Sequence, residues 1–80
     1  MKNEKRNYLH ELRKKKGLTL KSMAKLAEIN SYSTYACYET GDREPDLETM
    51  GRIAKVLGEK DLIKLFRKGG VVIADNRNTK

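Results

Sequence analysis

The chain is short of the residues on which most active sites and extracellular scaffolds depend. Its 80 residues include one cysteine, one histidine and one proline. Cys37, alone, excludes an internal disulfide and any multi-cysteine zinc site. His10, alone, leaves no material for a histidine-based triad or metal centre. No paired carboxylates with a pocket and no phosphate-cradling glycine loop stand out, so neither catalysis, metal nor cofactor is expected. No apolar run approaches the roughly 18 residues of a membrane span, and the longest aliphatic run is Val71-Val72-Ile73-Ala74. Met1-Lys2-Asn3-Glu4-Lys5-Arg6 leads into no apolar segment. A secretion signal, a membrane partner and a small-molecule substrate are therefore not expected, and a cytoplasmic chain is.

What is present is charge. Eighteen basic side chains face eleven acidic ones, a net of +7. A pI near 9.7 in so small a chain points to a polyanionic partner. Residues 1–16 hold seven basic and two acidic side chains, which marks this segment as the expected main positive surface. A lysine-rich solvated helix face is the plainer reading of the same residues. With 38% hydrophobic residues the core is thin, one domain is the natural size, and a dimer interface would add stability.

Short helical blocks follow one another. The first covers about residues 4–16, with Leu9 and Leu12 inward and Gly17 as its stop behind a run of cations. Thr19 is a cap for a second helix, in which Leu20, Met23, Ala24 and Ala27 fall at i, i+3, i+4 and i+7. That helix should end near Glu28. Asn30 or Ser31 opens a third, running to about Thr40 before Gly41, with Tyr35 and Tyr38 on one face. Asp46 caps a fourth, with Leu47, Met50, Ile53, Ala54 and Leu57 inward and Gly58 as stop. Asp61 caps a short fifth containing Leu62, Ile63, Leu65 and Phe66, ended by Gly69-Gly70. Val71–Ile73 is the one strand-like stretch, and Asn76 to Lys80 reads as a frayed tail.

Five short helices in a basic chain raise helix-turn-helix binding. The stretches LHELRKKKGLTLKSMAKLAEI and STYACYETGDREPDLETMGRIAKVLG resemble the lambda-repressor/Cro-like family, often called XRE, over about residues 7–58. The specific elements are Leu12-Arg13, Gly17-Leu18-Thr19, Met23-Ala24, Ile29, Glu39-x-Gly41, Arg43-Glu44-Pro45-x-Leu47-Glu48-Thr49 and Ile53-Ala54-x-x-Leu57-Gly58. The resemblance implies an all-α, five-helix lambda-repressor-like domain over residues 1–68, with the helix-turn-helix at about 19–40. Beyond it, residues 69–80 are expected to make a short C-terminal, strand-like extension. The resemblance also implies an ion pair between Arg13 and Glu39, tying the first helix to the recognition helix. Two independent surface charges are the alternative. Tyr35 and Tyr38 stand where the family places aliphatic core residues, and their rings would reach the surface so that each hydroxyl finds a partner.

The chain departs from that pattern in three places. Leu20 replaces the glutamine that opens the second helix in the family and bonds a phosphate. Glu28 replaces the glycine of the turn and would cost about 1 kcal/mol in a left-handed conformation. The segment Ile29–Tyr35 carries one residue more than usual. A rebuilt turn is expected.

The resemblance implies double-stranded DNA as partner, read by a recognition helix over about 31–40 in the major groove. The base-reading candidates are Asn30, Ser31, Tyr32, Ser33 and Cys37, a set poor in bidentate readers. Capping is the other reading of Ser31. Cys37 reads as a small filler or as a redox switch. Phosphate contacts fall to Lys14, Lys16, Thr19, Lys21 and Arg43. His10 is expected in solvent. Leu62, Leu65, Phe66, Val71 and Ile73 exceed what one small core needs and are expected at a homodimer interface. Packing back on the first and fourth helices is the alternative. The expected function is a phage-repressor-like transcriptional regulator, possessing no enzymatic activity and open to control by a protein partner. A protein-interaction module of the same fold, such as an antitoxin or a bridging factor, is the second reading.

Overall fold

Helix boundaries in this chain are set by short polar side chains and by glycine. Thr19 accepts a hydrogen bond from the Ser22 amide and completes a reciprocal capping box with the Ser22 hydroxyl. Ser31 accepts from Thr34, Asp46 from Thr49 and Asp61 from Lys64. A computed structural model describes residues 4–69. Its described residues form α1 (Asn7–Lys15), α2 (Leu20–Leu26), α3 (Tyr32–Thr40), α4 (Leu47–Leu57) and α5 (Leu62–Phe66). The all-α, five-helix architecture expected from the sequence is present. The C-terminal strand-like stretch, Val71 and Ile73 included, lies outside the described residues.

α2 packs chiefly against α3, and α5 lies across α1 and α4. Leu9, Met23, Tyr35, Ile53, Leu57 and Leu65 meet at the centre and are essentially inaccessible to solvent. Each such side chain stabilises the fold by about 1.5–3 kcal/mol. Ala24, buried at the α2–α3 crossing, keeps these two helices close.

Several expectations are corrected. α1 begins at Asn7 rather than near residue 4, because Arg6 is non-helical and forms a parallel bridge with Gly69. α2 ends at Leu26, and Glu28 takes the left-handed conformation, φ 60°. The turn is therefore not rebuilt around Glu28. The backbone keeps its left-handed turn, with the Ile29 amide bonded to the Ala24 carbonyl at 2.8 Å, and Glu28 bears the strain. Leu47 is 72% exposed, since it occupies the first turn of α4 facing away from the core, and Thr49 is buried instead. Tyr35 does not reach the surface: its ring is wholly buried, and its hydroxyl finds a partner inside.

Candidate nucleic-acid interface

The C-terminal half of α3 is held by an internal polar cluster. Glu39 is buried and accepts from Arg13 Nε at 2.6 Å and from the Tyr35 hydroxyl at 2.7 Å. His10, with its proton on Nδ1, donates to the same carboxylate at 2.8 Å. Burial alone would raise the Glu39 pKa. The hydrogen bonds from Arg13, Tyr35 and His10 outweigh it and hold the carboxyl below the ordinary glutamate range. Burial, together with the adjacent Glu39 charge, pushes the Tyr35 phenol upward. Arg13 also donates to the Leu18 carbonyl, so one guanidinium joins α1, the entry to α2 and α3. The Arg13–Glu39 pair is thus a buried, hydrogen-bonded contact rather than two surface charges. His10, expected in solvent, is 45% exposed and also reaches Glu39, because it stands one turn before Arg13 on the same face of α1.

Arg6 is the second internal cation, 1% exposed. Its Nε donates to the Phe66 carbonyl at 2.9 Å, and its Nη1 to the carbonyls of Tyr38 at 2.6 Å and Arg43 at 3.1 Å. Its Nη2 pairs with Glu44, which Lys68 also holds. Lys68 heads the causes that lower the Glu44 pKa, and Arg6 adds to them. Two of the seven cations in residues 1–16 are therefore internal. The expected positive surface of that segment shrinks to its lysines, of which Lys5, Lys14, Lys15 and Lys16 are exposed.

The N-terminal turn of α3 points outward. Asn30, Ser31, Tyr32 and Ser33 are exposed, whereas Cys37 is half-buried. The Ser31 hydroxyl caps the Thr34 amide and lies 3.4 Å from that of Ser33. The ring of Tyr32 carries the Lys21 ammonium 5.7 Å from its centroid, linking the first turns of α2 and α3. Two open grooves flank Asn30. One of about 410 Å³ is lined by Lys21, Lys25, Ser31 and Tyr32. The other, about 380 Å³ and more polar, is lined by Glu28, Thr34, Arg43, Thr49 and Arg52. Thr19 is exposed in its capping box, Lys21 and Arg43 are exposed beside these grooves, and Lys14 is exposed on α1. Lys16 is placed differently: its ammonium lies 3.8 Å from where a Cβ on Gly58 would be, at the negative end of the α4 dipole. Leu20 is half-buried against the core rather than reaching outward.

Three functional side chains escaped the sequence reading. Arg6 carries no periodic signal. Arg52 donates to the Ala27 carbonyl at 2.8 Å, fastening the end of α2 to α4, and pairs with Glu48 one turn back. The i, i+4 spacing of Glu48 and Arg52 was visible, but its reach to Ala27 was not. His10 shared a face with Arg13, a signal open to reading.

Of the expected dimer residues, Leu65 and Phe66 are 0% and 8% exposed, buried in the chain's own core against α1 and α4. That expectation is corrected for these two. Leu62 is half-buried, and Ile63, at 81% exposure, is the outward apolar residue of α5.

The helix-turn-helix family profile matches residues 9–65. The chain belongs to the helix-turn-helix family. This helix-turn-helix chain is similar in fold to the restriction-modification controller protein C.AhdI from Aeromonas hydrophila. The two are 30% identical, with a TM-score of 0.67, over 75% of this chain and 88% of that one. It is also similar to a transcriptional regulator from Listeria innocua, at 25% identity and TM-score 0.68, over 94% of this chain and 68% of that one. A hydroxypropylphosphonic acid epoxidase from S. wedmorenis contains a similar region, at 27% identity and TM-score 0.66. The match spans 38% of that longer chain. No curated protein sequence matches significantly. No helix among the described residues is long and apolar enough to cross a membrane.

Proposed function

We propose that this helix-turn-helix chain is a transcriptional regulator that binds double-stranded DNA, with the N-terminal turn of α3 in the major groove. The observation that carries this is the pairing of a rigid back with an exposed front. Glu39, Arg13 and Tyr35 lock α3 from behind, while Asn30, Tyr32 and Ser33 stand outward, with the cations Lys21 and Arg43 lining the grooves beside Asn30. Asn30 and Ser33 are the base readers in this reading, with Tyr32 beside them. Ser31 acts mainly as the cap. Thr19, Lys21, Lys14 and Arg43 contact phosphates. With few bidentate readers, much of the specificity comes from backbone contacts and DNA shape.

The regulator acts as a dimer in the manner of phage repressors, with the outward face of α5 between protomers. Ile63 supports this as an outward apolar side chain with no partner in its own core. Catalysis has no part in this reading. Leu20, turned to the core, and Ser31, engaged in capping, favour a second reading: a protein-interaction module such as an antitoxin.

Selection from random duplex DNA, followed by titration at two salt concentrations, decides between them. The regulator reading expects an enriched palindrome and a steep salt dependence. Ser33→Ala then relaxes specificity, and Lys21→Ala weakens all sequences alike, lowering the salt slope by about one. Salt-sensitive background binding with no enriched sequence would transfer support to the interaction module.

A further inference from the structure

We propose that Arg6, outside the matched family segment, is the positioning residue of the loop that carries Arg43, and that it couples this loop to the end of α5. The inference rests on the DNA-binding reading above. Arg6 lies too deep to touch DNA, at 1% exposure. What it touches is specific. Its fork bonds the Tyr38 carbonyl in the last turn of α3, the Phe66 carbonyl at the end of α5, and the Arg43 carbonyl in the loop between α3 and α4. The first two are helix-terminal carbonyls, which lack helical partners and sit at the negative ends of their dipoles. The backbone of Arg6 adds a bond from its amide to the Glu39 carbonyl at 2.8 Å. One cation therefore gathers the ends of two helices and the loop.

Both backbone polar groups of Arg43 are tied: its carbonyl to Arg6, and its amide to the Cys37 carbonyl at 3.2 Å. Its side chain remains exposed. The backbone is thus fixed while the cation faces out, which lowers the ordering entropy of a phosphate contact. Glu44 extends the tie, since it pairs with both Arg6 and Lys68. The strap continues at Gly69, whose amide donates to the Lys5 carbonyl and whose carbonyl accepts from Asn7 Nδ2 at 2.8 Å. The end of α5 thus meets the Arg43 loop through the Arg6 guanidinium and through the Lys68–Glu44 pair. Lysine cannot replace it, because an ammonium is a point donor and cannot span three carbonyls and a carboxylate.

The test combines Arg6→Lys and Arg43→Ala, singly and together, on the full chain. Binding is measured by fluorescence anisotropy on a selected duplex across a salt series, at a temperature where circular dichroism shows full helix content. Amide hydrogen exchange at residues 42–44 is followed without DNA. Each single variant should lose about tenfold in affinity and about one unit of salt slope. The double variant should bind no more weakly than Arg43→Ala, and exchange at Arg43 should quicken in Arg6→Lys. Unchanged binding in Arg6→Lys, or penalties that multiply in the double variant, would overturn the proposal. If Arg6→Lys does not fold, the wild-type Arg6 Nε–H resonance serves instead. It should shift on addition of the duplex, and a resonance that stays put overturns the proposal. A wild-type protein that binds no duplex, but whose exchange at Arg43 still depends on Arg6, would overturn the regulator reading and remove the positioning role with it.

Discussion

At the scale of single residues, the pair Arg13–Glu39 and the cation Arg6 differ in how visible they were. Arg13 and Glu39 sit inside a recognisable pattern, so the resemblance carried the pairing. Arg6 lies before the first helix, where neither periodicity nor spacing constrains it, and only the approach of α3, α5 and the loop gives it partners. Glu39 also carries a pH signature. Its folded pKa is held below the ordinary range, so its stabilising contribution is complete above the unfolded value of about 4.3. That contribution is lost as pH falls through the lower, folded value. Glu39→Gln leaves Arg13 buried without its charge partner and should cost about 3 kcal/mol at neutral pH. In urea titrations the gap between wild type and Glu39→Gln should narrow below about pH 4. A gap that persists undiminished well below pH 4 would place the stabilisation in packing rather than in the ion pair.

At the scale of elements, caps and stops were legible because they act locally. Thr19, Ser31, Asp46 and Asp61 each bond an amide three residues on, and Gly41 and Gly58 end their helices with positive φ. The turn between α2 and α3 was less legible. Glu28 argued locally for a different backbone. The surrounding packing imposed the left-handed one, with Ile29 bonded to Ala24 and Arg52 holding the Ala27 carbonyl. Tertiary contacts outweighed an unfavourable local conformation. Glu28→Gly should accordingly stabilise the fold by about 1 kcal/mol, read as a raised urea midpoint at unchanged m-value. A lowered midpoint would show that the Glu28 side chain contributes more than its backbone costs.

At the scale of the whole molecule, apolar residues in excess of an expected core were assigned to a partner. The structure assigns Leu65 and Phe66 to the chain's own interior. The dimer proposal therefore depends on Ile63 and Leu62. Sedimentation velocity over a dilution series should show a concentration-dependent dimer of the 9.2 kDa chain that Ile63→Glu dissociates. A monomer at every concentration would remove the dimer from the functional reading.

What the sequence determined by itself is what depends on near neighbours: helix number, caps, stops, the apolar stripes of α2 and α4, and the family. These follow from hydrogen bonds and periodicities within a turn or two of the chain. Tertiary structure decided what depends on residues far apart. It buried Arg6 and Arg13, drew His10 to Glu39, sent Lys16 to the end of α4, and turned Leu47 outward. The physical reason is that a charged side chain enters an interior only when distant carbonyls and carboxylates converge on it, and that convergence exists only once the helices are packed.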